Sequence, residues 1–156
     1  MKKIFALVVL LCAVMISSTA AAAANWVWIY SDEDYTIYVD KNSIRRDYNY
    51  PGYVFRAFVR WIFTETGRQK KLEQCRSLGI YLSKKCYDLS SMIYLEYFKE
   101  INGLKYTCTT KVISHDSEGN YIPELSVSKD TLNWNVITPD SVGEAIFDNI
   151  QARVPN

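Results

Sequence analysis

The segment that most constrains this chain is Tyr53 to Phe63. Its alternation puts Phe55, Ala57, Val59, Trp61 and Phe63 on one side of an extended strand, with Arg56, Phe58 and Arg60 on the other. Shorter β runs at 26–30 and 35–40 flank Ser31-Asp32-Glu33-Asp34, which reads as a hairpin turn. Asp40 to Arg46 reads as a turn or single helical turn, and Tyr48-Asn49-Tyr50-Pro51-Gly52 as a loop, since Pro-Gly favours a turn. Further on, 91–100 and 104–115 flank Asn102-Gly103, a strong hairpin signal because both turn residues tolerate positive φ. Asp116 to Asn120 then turns the chain into a last β run over 121–128.

Two stretches break this period. Leu72, Cys75, Leu78, Gly79 and Leu82 recur at helical spacing, which predicts an inserted, moderately amphipathic helix near residues 66–82. Pro139 precedes a second helix, with Asp140 or Ser141 as N-cap and Ser141–Glu144 matching a capping box. Val142, Ala145, Ile146, Ile150 and Val154 give it an apolar stripe to lay on the sheet. The expected class is α+β: an antiparallel meander with helices packed on one side.

The N-terminus carries a different message. Lys2 and Lys3 precede an uncharged run from Ile4 to Ile16, and Ala22-Ala23-Ala24 supplies the small residues a signal peptidase needs. This predicts a cleaved signal peptide over 1–24 and one domain over 25–156. The run is shorter than the ~20 residues of a membrane span, so no transmembrane anchor is expected. Lipidation at Cys12 is disfavoured because Leu11 is not small. Loss of Lys2 and Lys3 turns the net charge from +1 to −1. Neither nucleic acid nor an anionic membrane is drawn to such a balance.

Both ends of the domain resemble a known family. Trp26-Val27-Trp28-Ile29-Tyr30, then Tyr38-Val39-Asp40 and Ser43-Ile44, resemble the opening of the surface-adhesin protein E-like domain. The segment from Trp134 through Pro139 to Ser141-Val142-Gly143-Glu144-Ala145 is similar to its closing signature, and Asp116 to Asn120 to its internal turn. The middle, 64–99, is covered poorly. The resemblance implies about six antiparallel strands with the C-terminal helix docked on the concave face. It also implies a bacterial protein exported to the surface or periplasm, and no catalytic residues. Members often tether the last helix to a sheet cysteine. Cys108, on one face with Tyr106 and Val112, suits the sheet half of that bridge, but Gln151 stands where the helix half would be. Docking is then left to Val142, Ile146 and Ile150.

Three cysteines remain after signal removal, an odd number for an oxidising compartment. The preferred pairing is Cys75 with Cys86, closing a short loop worth roughly 2–3 kcal/mol, with Cys108 a buried thiol. The rival bridges Cys108 to one of the others. Scattered cysteines and a lone histidine lack zinc-ligand spacing, so no metal and no cofactor is expected. Cys108 and His115 differ by an odd number on one strand, which places them on opposite faces and argues against a thiol–imidazole pair. Asp32-Glu33-Asp34 and Asp116, Glu118 and Asn120 read as polar turns before cation sites. No phosphate loop or nucleophile elbow is present, so the expectation is not an enzyme.

A binding surface fits better. Arg56, Phe58 and Arg60, near Tyr48, Tyr50 and Tyr53, interleave the residue types that protein interfaces favour. The competing arrangement has the inserted helix covering that face. The expected function is an exported, non-catalytic domain that binds a host or envelope protein, with a homodimer possible. The alternative is a periplasmic structural or envelope-maintenance domain with a bacterial partner.

Overall fold

The computed structural model describes residues 23–50 and 52–155. The expected signal peptide, apart from Ala23 and Ala24, lies outside the described residues, as do Cys12 and Pro51. The β runs read at 26–30, 35–40, 53–63, 91–100 and 104–115 all fall on strands. β1 (Trp26–Ser31) and β2 (Tyr35–Asp40) form the first hairpin; short β3 (Arg45–Arg46) leads into β4 (Val54–Phe63). Helix α1 (Glu65–Ser77) follows, then β5 (Leu89–Ile101) and β6 (Leu104–Asp116). Two-residue strands β7 (Val127–Ser128) and β8 (Asn135–Val136) precede helix α2 (Val142–Gln151). The fold is α+β: an antiparallel sheet of order β1-β2-β4-β5-β6-β7, with β3 beside β4 and β8 beside β6.

Asn102 and Gly103 form the β5–β6 turn at φ 52° and 77°, as that dipeptide requires. The inserted helix stops earlier than its spacing suggests. Leu78 closes it on the Gln74 and Arg76 carbonyls, and the chain leaves at Gly79 with φ +75°. Leu82 therefore packs from a loop. The run at 121–128 is also not one strand: Tyr121 makes a single bridge to His115, Pro123–Leu125 is a 3-10 turn, and only Val127–Ser128 pairs with β6. Pro123 lacks an N–H for a ladder and starts that turn instead.

Both described helices lie on one face of the sheet. α2 contacts β1 and β6, where Ile146, Phe147 and Ile150 are buried over Ile37, Val39, Phe55, Val59 and Phe98. Phe55 stacks on Phe98 at 5.4 Å between centroids, and Phe147 meets both rings edge-on at 5.2 and 5.9 Å. α1 buries Leu72 and Cys75 against Met92, Tyr94 and Val112 of the same face. Ser141 Oγ accepts from the Glu144 amide at 3.3 Å, and Glu144 Oε2 accepts from the Asp140 amide at 2.8 Å, a reciprocal cap shifted by one residue.

A bulge in β6 alters the expected alternation. Leu95 pairs with Lys111 but Glu96 with Thr109, leaving Thr110 as an extra residue. Beyond it every side chain changes face relative to a simple odd–even count. Val112 therefore points to the helical face while Cys108 and Tyr106 point away from it.

Candidate functional site

The helix-free face carries the arginines singled out in the sequence. Across five strands the ladder aligns Trp28, Tyr38, Arg60, Ile93 and Ile113 in one row. Trp28 is 58% exposed, and its indole N–H donates to Ser31 Oγ at 2.8 Å, which fixes the ring outward. Arg60 lies over the Trp26 ring at 5.9 Å and reaches Ser91 Oγ at 3.4 Å. Its Nε is buried without a partner. Phe58 is the next outward residue of β4, partly buried beside Leu95. Because α1 packs on the other face, the covering-helix arrangement does not occur.

The six expected surface residues do not form one patch. Arg56 is spoken for: its guanidinium lies 3.5 Å from buried Asp47 and donates to Tyr97 Oη at 3.0 Å. Tyr50 packs edge-on to Tyr97 at 5.9 Å, so it belongs with Arg56 in a small closed cluster. Tyr48 and Tyr53 instead clasp Arg46, at 5.1 and 4.8 Å, and Tyr53 leans on Phe55 of the helical face. Of the six, only Arg60 belongs to the open row, with Phe58 beside it on the same face. Trp28 and Tyr38 join Arg60 by cross-strand register and Trp26 by ring contact, long-range relations that spacing along the chain does not carry.

Among the described residues the three cysteines are buried free thiols. The bridge expected between Cys75 and Cys86 is not formed, although both side chains share the apolar cluster beneath α1. Cys86 Sγ instead sits 3.6 Å from Ser83 Oγ. Cys108 is buried on the open side with Val54 and Tyr97, away from α2, so it is not placed to tether that helix. Lys105 performs the tie, with Nζ 2.7 Å from both Glu144 and Asp148.

Burial pushes the Cys75 and Cys108 thiols up, which opposes thiolate formation. The Thr110 bulge also corrects the expected relation of Cys108 to His115. They pair with Tyr97 and Ser91 and so share a face, but six rungs apart, about 20 Å. The acidic turns are occupied by their own backbone. Asp32 Oδ1 accepts from the Asp34 and Tyr35 amides, and Asp116 Oδ1 from those of Glu118 and Asn120.

A second feature was not legible from motifs. Between α1 and the sheet lies a cavity of about 490 Å³, walled by Tyr35, Trp61 and Tyr94. Tyr35 and Trp61 meet at 4.6 Å and Trp61 and Tyr94 at 6.0 Å between centroids. Glu96 faces it from β5. Its surface is partly accessible because it opens on the cavity, yet protein surrounds the carboxyl, and burial alone raises its pKa to about 7. Trp61 Nε1 and Asp34 Oδ1 are buried with no hydrogen-bond partner. Gly67, in the first turn of α1, lines the cavity. A Cβ there would stand 1.9 Å from the Asp34 carbonyl oxygen, so glycine lets the first turn of α1 close on the β1–β2 turn. No protein-family model, curated protein or solved structure matches the chain.

Proposed function

We propose that this chain is an exported, non-catalytic domain that binds another protein through the open face of its sheet. The observation that carries the reading is the outward row Trp28–Tyr38–Arg60 on a face that neither described helix covers. Tryptophan, tyrosine and arginine are the residues in which interface energy concentrates, because each brings large contact area together with a polar end. The Arg60 guanidinium, partly exposed on that row, adds a charged donor for a partner carbonyl or carboxylate. The alanine-rich leader and the likeness of both ends to the protein E-like family support export and contact with a host-surface or envelope protein.

The test uses the 25–156 protein against immobilised host-matrix proteins and against an extract of its own cell envelope. Saturable capture should occur in one of them and fall about tenfold or more in a Trp28→Ala/Arg60→Ala variant. A Glu73→Ala change on α1 should leave it intact. Absence of capture from both sources contradicts the reading. Protease shaving of intact cells separates surface from periplasm, since only a surface protein is digested.

A further inference from the structure

The cavity beneath α1 lies on the opposite side of the sheet from the proposed docking face and calls for its own explanation. Its volume of about 490 Å³ is in the range of small-ligand sites. Three aromatic rings form the walls, and Glu96 and Asp34 supply carboxyl groups. Asp34 Oδ2 bonds Lys70 at 2.7 Å, but Oδ1 is buried and unpartnered. Among the described residues Glu96 has neither a charge partner nor a side-chain hydrogen bond, and burial alone raises its pKa. A carboxyl group left this way is costly to the fold and is relieved by a donor bearing positive charge.

We propose that this cavity binds a small aliphatic ammonium compound, its charged end at Glu96 and its stem along Tyr94 and Trp61 toward Tyr35. Each alternative class leaves more unsatisfied. An anion would face Glu96 and the negative faces of the rings, and a hydrocarbon would leave Glu96 without a donor. The lysines at the rim do not close the site to a cation. Lys70 is held by Asp34, and Lys71 donates to Gln74 Oε1 at 3.0 Å. A plain amine and an ω-amino acid share the recognised ammonium end.

The experiment is an NMR titration of the 25–156 protein that follows the Trp61 indole N–H, near pH 8, with butylammonium, γ-aminobutyrate and butyrate. Butylammonium should move that resonance saturably, and Glu96→Gln should weaken it about tenfold or more. γ-Aminobutyrate, which carries the same ammonium end, should shift the resonance as well. Equal binding of butyrate, an unaltered affinity in Glu96→Gln, or no saturable shift with either ammonium compound overturns the proposal. The indole signals of Trp26, Trp28 and Trp134 report whether Glu96→Gln keeps its fold. If it does not, the parent protein carries the test: butylammonium should bind more weakly at pH 5 than at pH 8, and equal affinity at both overturns the proposal.

Discussion

Lys105 Nζ lies 2.7 Å from Glu144 Oε1, and the same ammonium reaches Asp148 one helical turn further on. One lysine of β6 thus ties two successive turns of α2 to the sheet. Its bond holds the Glu144 carboxyl below the usual range, while bonds to Asp148 and Glu144 raise Lys105. The carboxylate contribution is complete above the ordinary carboxylate pKa and is lost as pH falls through the folded value. The lysine contribution is complete below its ordinary pKa and is lost as pH rises through the folded one. The urea midpoint of the parent should therefore exceed that of Lys105→Met by a constant amount between about pH 5 and 10, shrinking on both sides. Midpoints that coincide at every pH would remove the tie from the account.

Phe147 should matter more than the ion pairs. It is fully buried against Phe55 and Phe98. Phe147→Ala is expected to cost about 3–5 kcal/mol by urea unfolding, from lost burial and the cavity left behind. A loss under about 1 kcal/mol would mean that α2 is not docked as described.

Gly67→Ala should destabilise although alanine is the better helix former. The new methyl would meet backbone, the Asp34 carbonyl at 1.9 Å, rather than a side chain that can swing away. Thr64 locks the same junction, since its hydroxyl donates to the Glu33 and Asp34 carbonyls at 2.8 and 3.0 Å. The expected loss is about 1–3 kcal/mol. A gain in thermal midpoint would show that α1 stands off the β1–β2 turn.

Glu96 titrates with the opposite sign to Glu144. With its pKa raised from 4.5 to about 7 by burial, the folded chain keeps a proton that the unfolded chain has released. Stability should fall as pH rises from about 4.5 to 7 and level off above, by roughly 3 kcal/mol in all. Glu96→Gln should flatten that slope and exceed the parent in stability near pH 8. An unchanged slope in the variant would assign the effect to other groups.

Much of the fold was legible because its determinants are local. The β4 alternation, the Asn102-Gly103 turn and the Ser141–Glu144 cap each act within a few residues, and each forms. What escaped depends on distant partners. The Thr110 bulge exists only against Leu95 and Glu96, and it reverses the faces assigned to Val112 and His115. Phe147 stood outside the expected stripe of α2 because its value comes from Phe55 and Phe98 on the sheet. The six-residue surface patch divided because Asp47 captures Arg56 and Arg46 draws Tyr48 and Tyr53. The cavity arises where α1 spans strands far apart in the chain, so no motif announces it; Gly67 in the first helical turn was its one local sign.

On the proposed reading, a partner protein docks on the face that neither described helix covers. Site-specific photo-crosslinking in living cells tests it most directly, with the photoreactive residue placed at Trp28 on that face or at Glu73 on the exposed side of α1. The account predicts a discrete protein adduct from position 28 and none from position 73. An adduct from position 73 alone, or from neither position, would contradict it.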